Sequence, residues 1–349
     1  MSRLTIKYIA ELAGISPSAV SIVLNDRPGV SAETRERVRA ILRETGYVPN
    51  PNSRRLLFNK SDNITILLNR DMSDLGNQFY VELNNLIVPE CDKAGANPVY
   101  AFYRLHDSGD VELPQIITRR DTGGIIFLGA PPEPVQRRII ETEIPFVITD
   151  THEPRPGIAS VYTDYSSAAY MATKYLISLG HHNIGYLGYD SPLYMRNTLR
   201  GFKCALQDGG CEYHPEWVHS SPNSDKLSYE TTRRMMKAPR LPSAIFCTGD
   251  FIAIGCLQYI LQDGLRVPED ISLISIDDII LSRYVTPRLT TVKIDRQELA
   301  RQSIALLVDR MSGVPSLPEH IEVPCGEIEV RQSVCAHISR RRYPIQYSA

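Results

Sequence analysis

Five polar or charged residues follow apolar runs of the sequence and have the chemistry to bind a small polar molecule. They are Asn69, Arg70, Asp150, Asp250 and Asp277. A carboxylate accepts two hydrogen bonds in one plane, which suits the hydroxyl groups of a sugar and rejects analogues that lack them. An aspartate at the end of a strand also commonly caps the helix that follows. For Asp250, directly before an apolar helical pattern, both roles stay open, whereas for Asp277 we favour ligand contact.

Enzyme chemistry has little support in this sequence. No G-x-G-x-x-G follows a predicted strand, since Gly185–Gly188 is too short, and no G-x-S-x-G elbow occurs, so neither a nicotinamide-dependent enzyme nor a hydrolase is indicated. His181 and His182 stand at the end of a predicted helix, where an imidazole can bond terminal carbonyls, and a structural role is favoured. The seven cysteines are scattered without a C-x-x-C pair, which is typical of a reducing cytoplasm without a zinc site. We predict no catalytic residue, no metal ligand and no cofactor.

The polar residues must be positioned by a repeating pattern of strands and helices that begins after Ser61. Apolar runs predict strands at 63–68, 97–103, 124–128, 144–149, 184–188, 244–247 and 271–276. Amphipathic patterns predict helices at 78–93, 113–120, 166–179, 195–208 and 250–263. The two rounds of this alternation predict an α/β fold with two doubly wound parallel-sheet subdomains. Ligands bind such folds beyond the carboxyl ends of the strands, so a cleft between two such edges is the expected site.

The first residues carry a different pattern, two short helices joined by Gly14. Thr5 and Ser16 can each cap a helix, and Pro17 stands at a first helical position, where its missing N–H costs nothing. Apolar residues at helical spacing form the expected seam, namely Ile9, Leu12, Ala13, Val20, Val23 and Leu24. The residues left facing outward on the second helix are Pro17, Ser18, Ser21, Ile22 and Asn25. This pattern predicts a helix-turn-helix whose second helix meets a major groove, rather than a helical hairpin that caps an enzyme.

A third helix and the distribution of charge support the same prediction. Ser31 can cap that helix and Gly46 can end it, with Val38, Ile41 and Leu42 facing inward. Residues 1–60 hold ten Lys or Arg against five Asp or Glu, and the remaining residues hold 28 against 35. The net charge of −2 is therefore the sum of a basic head, residues 1–60, and an acidic body. This distribution of charge is expected of a DNA-binding module attached to a globular domain.

Three runs in this basic head resemble, in order and spacing, the head of the lactose-repressor family of bacterial transcription regulators. They are Thr5–Asn25, Val30–Val38 and Gly46–Leu56. The resemblance implies a hinge helix after Asn50. In the family, the paired hinges of a dimer insert a leucine from each chain into the minor groove, and Leu56 matches that leucine. The alternative is that Leu56 is a linker residue that packs on its own domain. The implied DNA contacts are Thr5, Ser16, Pro17, Ser18, Ser21, Ile22, Asn25, Ser31, Thr34, Arg35, Asn50, Ser53, Arg54 and Leu56.

The body resembles the family's effector-binding core, which is itself similar to periplasmic sugar-binding proteins. The motifs that carry this resemblance are Val161–Asp164, Leu179–Gly185, Arg200–Phe202, Pro242–Ile245, Asp250–Gly255, Val267–Ile271, Asp277–Asp278, Pro287–Val292 and Val330–Ser333. With the head, they cover about residues 4–333. The resemblance implies a small-molecule effector, most simply a carbohydrate, contacted by Asn69, Arg70, Asp150, Arg196, Thr198, Asp250 and Asp277.

Some positions depart from the family pattern. Ile22 replaces a polar recognition residue, which leaves apolar contact and DNA shape to discriminate bases. Thr198 stands where the family has a ligand-contacting arginine, and Arg196 and Arg200 flank it. Ile276 replaces an aromatic residue beside the paired aspartates. These departures indicate a ligand other than a common hexose.

The sequence therefore predicts a dimeric repressor with a helix-turn-helix domain (1–48), a hinge and linker (49–61), an effector-binding core (62–333) and a tail (334–349). The core would divide into one subdomain of about 62–162 and 292–324 and another of about 163–291 and 325–333. Two heads would bind the half-sites of a pseudo-palindromic operator, because two-fold protein symmetry imposes two-fold DNA symmetry. A periplasmic solute-binding protein is the main alternative for the core. The basic head, the absence of a signal peptide and the lack of a membrane-spanning apolar stretch favour a cytoplasmic regulator.

Overall fold

The computed structural model describes residues 5–24, 28–47, 61–70, 77–222 and 224–337. The chain divides into two compact units, Met1–Ser61 and Asp62–Ala349. Most of the predicted hinge lies outside the described residues. The same is true of five predicted DNA contacts, namely Asn25, Asn50, Ser53, Arg54 and Leu56.

The described part of the first unit contains three helices, each begun by a side-chain cap. They are α1 (Ile6–Ala13), α2 (Pro17–Leu24) and α3 (Ala32–Thr45). The hydroxyls of Thr5, Ser16 and Ser31 accept hydrogen bonds from the backbone amides three residues further on, at 3.1–3.3 Å. Gly14 ends α1 in the left-handed region (φ 65°), where a residue with a Cβ is strained, and the two helices meet at a bend of 101°. The predicted helix-turn-helix is present.

The core of the first unit consists of aliphatic side chains from all three helices. Its buried members are Ile9, Ala10, Ala13, Val20, Val23 and Val38. The prediction that Leu12 belongs to this seam was wrong, because the buried stripe of α1 runs through Ala10 instead and 49 % of Leu12 is exposed. No single helix in the described part of the chain is long and apolar enough to cross a membrane, and the one pair that passes by length and composition is the bent pair α1 and α2.

The second unit alternates strands and helices, as predicted. Its strands are β1 (Asn63–Asn69), β2 (Asn97–Leu105), β3 (Val111–Glu112), β4 (Gly124–Leu128), β5 (Phe146–Thr149), β6 (Ser160–Tyr162), β7 (Ile184–Tyr189), β8 (Val218–Ser221), β9 (Ala244–Cys247), β10 (Ser272–Asp277), β11 (Thr290–Lys293), β12 (His320–Glu322) and β13 (Ile328–Glu329). Its α-helices are α4 (Gln78–Lys93), α5 (Gln115–Thr118), α6 (Glu133–Ile140), α7 (Tyr165–Ser178), α8 (Pro192–Asp208), α9 (Asp225–Met235), α10 (Asp250–Gln262) and α11 (Arg296–Ser312). Among the described residues, short 3-10 turns occupy Pro215–Trp217 and Ile280–Arg283.

The strands form two sheets, each mostly parallel. The first has the order β12-β6-β5-β4-β1-β2-β3, and β3 is antiparallel to its neighbour. The second has the order β13-β11-β10-β9-β7-β8, and β13 is antiparallel. Apolar strands such as β4 and β9 are buried along their whole length, as expected of parallel sheets covered on both faces. The predicted α/β fold class is confirmed.

The chain passes between the two sheets more than once. After β6 it enters the second sheet through α7 and β7, and after β11 it returns through α11, which packs against β4 and β5. β12 then joins the first sheet and β13 the second. These crossings bring the carboxyl ends of strands from both sheets to one region.

Some elements differ from those predicted from the sequence. The predicted helix 113–120 was too long, because Pro114 precedes its first residue and Arg120 adopts a left-handed conformation (φ 54°), which leaves only α5. The predicted strand 97–103 continues to Leu105. Helices α6, α9 and α11 were not predicted, and neither were the short strands β3, β6, β8, β11, β12 and β13.

Candidate ligand cavity and DNA-recognition helix

A cavity of about 500 Å³ lies at the carboxyl ends of strands from both sheets, within the usual size range of small-molecule sites. On the side of the first sheet its lining follows β1, β2, β4 and β5 and includes Asn69 and Asp150. On the side of the second sheet it follows the ends of β7, β9 and β10 and includes Thr248 and Asp277. This is the position that the strand pattern predicts for a cleft.

Asp150 directly follows β5 in a left-handed conformation (φ 64°), which aspartate tolerates better than most residues with a Cβ. Its Oδ1 accepts a hydrogen bond from the hydroxyl of Tyr165 at 2.8 Å, and its Oδ2 accepts one from the hydroxyl of Tyr80 at 3.1 Å. Both tyrosines line the cavity. These bonds fix the carboxylate on the first-sheet side.

Asp277 ends β10 on the opposite side, with φ 120°. The backbone of Asp250 favours the charged form of the Asp277 carboxyl group. Burial and the nearby carboxyl groups of Asp250 and Asp150 raise the pKa of Asp277 well above its usual range, and the charge of Arg296 opposes that rise. The cavity therefore contains a carboxyl group whose charge depends strongly on what binds beside it.

Asp250 lies behind the cavity rather than in its lining. Its Oδ1 accepts hydrogen bonds from Ser275 at 2.5 Å and Thr291 at 2.6 Å, and its Oδ2 accepts one from the backbone amide of Ile279 at 2.8 Å. Burial raises the pKa of Asp250 to about 6 although these three bonds favour its charged form. The hypothesis that Asp250 caps the following helix was wrong, because Gly249 occupies the cap position. Asp250 instead holds β10 and β11 together.

Aromatic rings form much of the cavity wall. The rings of Tyr165, Tyr194 and His152 pack against one another at centroid distances of 4.7–5.2 Å, and Tyr189 lies 6.0 Å from Tyr194. The Tyr194 hydroxyl donates to the carbonyl of Thr248 at 2.5 Å. Burial lowers the pKa of His152, so the ring is neutral, and its Nδ1 has no hydrogen-bond partner among the described residues. Strand-end reasoning missed all of these rings.

A polar bridge crosses the rim of the cavity. Glu153, which follows β5, pairs with Arg196 on α8 at 2.9 Å and with Arg155 at 3.1 Å. Asn197 donates to the carbonyl of His152 at 2.7 Å. The segment after β5 is thereby connected to the first turns of α8.

Thr198, which replaces the family's arginine, is fully buried away from the cavity. Its hydroxyl donates to the carbonyl of Tyr194 at 2.9 Å and lies 2.8 Å from the hydroxyl of Tyr186. The flanking Arg200 donates to Ser166 at 3.1 Å. The cavity lining therefore includes the predicted contacts Asn69, Asp150 and Asp277, and it does not include Arg70, Arg196, Thr198 and Asp250.

His181 lies buried outside the cavity, consistent with a structural role. Its Nδ1 is 3.0 Å from the hydroxyl of Ser243, and its Nε2 is 3.0 Å from the carbonyl of Cys335. That carbonyl belongs to the segment after β13, not to the end of the preceding helix as the sequence predicts.

In the head, the recognition helix α2 presents its first residues to solvent. Pro17 and Ser18 are exposed, and Ser21 and Ile22 are half-buried. Ile22 lies beside Gly29, where an added Cβ would be 3.5 Å from its Cδ1, so part of its side chain packs inside the head. An exposed start of the second helix is what a major-groove recognition helix needs.

The start of α3 carries three more of the predicted contacts. The hydroxyls of Ser31 and Thr34 are 2.9 Å apart, and Arg35 follows them, half-buried. Arg37, Arg39 and Arg43 are exposed on the same helix. Exposed arginines on a head with excess positive charge are the kind of side chain that contacts DNA phosphates, and such contacts supply affinity without base specificity.

Two parts of the chain match known families. Residues 5–50 match bacterial regulatory proteins of the lacI family, and residues 173–334 match the periplasmic binding protein-like domain. The HTH-type transcriptional repressor PurR of Escherichia coli O139:H28 (strain E24377A / ETEC) is 30 % identical over 335 residues, which cover 94 % of this chain and 96 % of that protein. The chain belongs to the lacI family. The PurR of Aliivibrio fischeri (strain MJ11) is also 30 % identical, over 88 % of this chain and 91 % of that protein.

Solved structures have the same fold as this lacI-family chain. The lac repressor dimer bound to operator and the anti-inducer ONPF aligns with a TM-score of 0.78 at 24 % identity, over 96 % of this chain and all of that one. The complex of the transcriptional regulator CelR with cellobiose aligns with a TM-score of 0.68 at 23 % identity, over 95 % of this chain and all of that one. The family assignment makes this protein a DNA-binding transcription regulator controlled by a small-molecule effector, as the sequence predicts.

Proposed function

We propose that this lacI-family regulator is a homodimeric, cytoplasmic repressor whose operator binding is controlled by a carbohydrate bound between its two sheets. The observation that carries the proposal is the cavity of about 500 Å³ whose opposite sides include the carboxylates of Asp150 and Asp277. A sugar ring offers hydroxyl groups to carboxylates and a less polar face to aromatic rings, and this cavity supplies both kinds of partner. CelR, a regulator of the same fold, was solved with cellobiose.

The proposed direct effector contacts are Asn69, Asp150 and Asp277, which line the cavity. Arg196 would act at the rim through its ion pair with Glu153. The other predicted contacts, Arg70, Thr198 and Asp250, would support the cavity from outside its lining. The proposed subdomain boundaries, about 62–162 with 292–324 and about 163–291 with 325–333, draw support from the sheet to which each strand belongs.

The proposed operator is a pseudo-palindrome with one half-site for each head. Residues of α2 and the position after it would contact base edges, namely Pro17, Ser18, Ser21, Ile22 and Asn25. Ser31, Thr34 and Arg35 would lie near phosphates together with the hinge residues Asn50, Ser53 and Arg54. The net charge of +5 over residues 1–60 supports this assignment, because each neutralised phosphate releases counter-ions and adds affinity.

Control would follow from closure of the cavity. An effector that contacts both sides favours the closed arrangement of the two sheets, and in a dimer such a change shifts the hinges. The effector can change operator affinity only by as much as its affinities for the two arrangements differ.

The test begins with selection of operator DNA from a random pool by the purified full-length protein, followed by anisotropy titrations with single carbohydrates. We expect selected sequences with two-fold symmetry, a dimer by light scattering, and at least a tenfold change in operator affinity with one carbohydrate. Asp277→Ala should abolish that change, whereas Glu212→Gln, at a side chain 81 % exposed outside the cavity, should retain it.

Different failures would overturn different parts of the proposal. Asymmetric selected DNA or a monomer in solution would refute the dimeric repressor. A full carbohydrate panel without effect on operator affinity would refute the effector class. If Asp277→Ala lowers the melting temperature while effector affinity stays unchanged, the residue stabilises the fold and does not contact the ligand.

A further inference from the structure

The inner cavity is rich in carboxyl groups. The carboxylates of Asp150 and Asp277 lie in its lining, and the buried carboxyl of Asp250 lies close behind. In the described part of the chain, neither lining carboxylate makes a salt bridge with a Lys or Arg side chain. Arg155 also lines the cavity, but it pairs with Glu153 at the rim.

Arg296 lies near Asp277 without neutralising it. Its guanidinium pairs with Glu82 at 3.1 Å and donates to the main-chain carbonyls of Asp277 and Asp278. Its charge therefore only partly offsets the effect of burial and of the neighbouring carboxyl groups, and the pKa of Asp277 remains raised. The side chain of Asp277 lacks a direct counter-ion among the described residues.

Aromatic rings surround the same space. The hydroxyl of Tyr165 donates to the carboxylate of Asp150 at 2.8 Å, and the ring of Tyr194 lies 4.8 Å from the ring of Tyr165. Both rings line the cavity together with Asp277. Ring faces attract cations, and the attraction grows where water is excluded. His152 adds a neutral ring with a buried, unpartnered Nδ1 that can accept one hydrogen bond from a ligand.

From this arrangement we infer that the effector is a cation: an amine-bearing sugar or polyhydroxylated amine whose ammonium group lies between Asp150 and Asp277, against the rings of Tyr165 and Tyr194. The inference rests on the proposed carbohydrate function and narrows it. An ammonium group has three donors and supplies the missing counter-ion, while hydroxyl groups bond the remaining polar lining. The carboxyl of Asp277 ionises when the cation binds, so binding in the pH range where it is protonated releases a proton.

The carboxyl groups of the cavity also predict the relative affinities of neutral, anionic and amine-bearing sugars. A neutral sugar can bond the carboxyl groups but brings no charge to compensate an ionised carboxylate in a buried site. A phosphorylated or carboxylated sugar brings a further anion beside them, and like charges at such distances are strongly unfavourable. The expected order of affinity is therefore amine, then neutral sugar, then anion.

Matched carbohydrate sets measure this order on the full-length protein at pH 7. The sets are glucosamine, glucose and glucose 6-phosphate; galactosamine, galactose and galactose 6-phosphate; and the glucosamine dimer with cellobiose. Choline and spermidine serve as amines that are not sugars. Binding is followed by thermal shift and then by calorimetry. In at least one set we expect the amine to bind tenfold or more tightly than the neutral sugar, a difference of about 1.4 kcal/mol, and the phosphate not to bind.

Two variants assign the effect to its residue. Asp277→Asn keeps the shape of the side chain and removes its charge, so the ratio of amine to neutral affinity should fall towards one. The control Glu212→Gln removes an exposed carboxylate outside the cavity and should keep the ratio. An unchanged ratio in Asp277→Asn would overturn the role given to Asp277.

The remaining outcomes separate the inference from the function on which it rests. If a neutral or phosphorylated sugar binds as tightly as its amine counterpart, the cationic effector is refuted and the carbohydrate function stands. If only choline or spermidine binds, the carbohydrate function is refuted and the cationic site stands. If no compound binds, both are refuted.

Discussion

Glu82 and Arg296 form an ion pair of 3.1 Å whose side chains are only 19 % and 11 % exposed. Glu82 lies on α4, and its second carboxylate oxygen accepts a hydrogen bond at 2.9 Å from the backbone amide of Ile280, which lies just after β10. Arg296 begins α11 and donates to the carbonyl of Asp277 at the end of β10. The pair therefore connects two helices of the first sheet to the cavity-side end of a strand of the second.

Removing the charge of Glu82 should destabilise the core. Glu82→Gln still offers an acceptor to Ile280 but leaves the guanidinium of Arg296 largely buried without its carboxylate, which costs about 2–4 kcal/mol. Urea unfolding measures the loss. Arg301→Gln removes the more exposed ion pair with Glu298 and should cost less than about 1 kcal/mol. Equal costs for the two variants would show that the Glu82–Arg296 pair is no more than a surface contact.

Asp250 should give the free energy of unfolding a distinctive pH dependence. Its pKa rises from the ordinary 3.8 to about 6 in the folded protein, so between these values the native state holds a proton that the unfolded chain releases. This contribution to stability is complete below about pH 4 and is lost as the pH rises to about 6. At about 1.4 kcal/mol per pH unit, the loss is ~3 kcal/mol.

Asp250→Asn has no proton to exchange and should lack this slope. Urea unfolding of both proteins at pH 4, 5, 6 and 7 gives the difference in their free energies of unfolding. Between pH 4 and pH 6 the unsubstituted protein should lose ~3 kcal/mol of stability relative to the variant, and above pH 6 the difference should stay constant. Parallel profiles would mean that the folded protein binds no extra proton at Asp250.

Local patterns located the framework of the site. Apolar runs and amphipathic spacing predicted α4 and β4 with the bounds that the structure has, because both signals lie within one element. The strand-end rule then placed Asn69, Asp150 and Asp277 at one cavity, because parallel strands end at the same edge.

The remaining site residues depend on contacts that no local pattern encodes. Tyr165 and Tyr194 lie in the first turns of two different helices, and their rings are in contact only because those helices pack together. The local sequence around Asp250 would be the same whether this residue capped the following helix or accepted a buried hydrogen bond. The donor of that bond, Thr291, is 41 residues away in the sequence. Burial of Thr198 likewise follows from packing against β7, not from its place in a motif.

The leucine of the hinge should control DNA bending. Leu56 matches the family's wedging leucine, and an inserted apolar side chain stabilises bent DNA by a few kcal/mol. Leu56→Ala should weaken binding to the selected operator by about one to two decades and reduce the bend angle measured by circular-permutation mobility shifts. The adjacent Leu57→Ala is the matched control and should retain both properties. Equal effects of the two variants would favour linker packing as the role of Leu56.

A substitution of Thr198 tests whether the position that carries a ligand-contacting arginine in the family has a structural role in this chain. Its hydroxyl and that of Tyr186 are 2.8 Å apart, and both side chains are completely buried. Thr198→Val preserves the shape but leaves the Tyr186 hydroxyl and the Tyr194 carbonyl without this partner. We expect a loss of about 1–3 kcal/mol in the free energy of unfolding by urea.

A double-mutant cycle isolates that bond from a role in effector binding. Tyr186→Phe removes the other hydroxyl, so the double variant should be more stable than the sum of the single losses predicts. Effector affinity should change by less than about twofold in Thr198→Val, since its hydroxyl lies outside the cavity lining. A loss of more than about tenfold in effector affinity, equivalent to ~1.4 kcal/mol, with unchanged stability would restore Thr198 as a ligand contact. The geometry of the Thr198–Tyr186 pair favours the first outcome, because a hydroxyl that already bonds two buried protein groups has little left to offer a ligand.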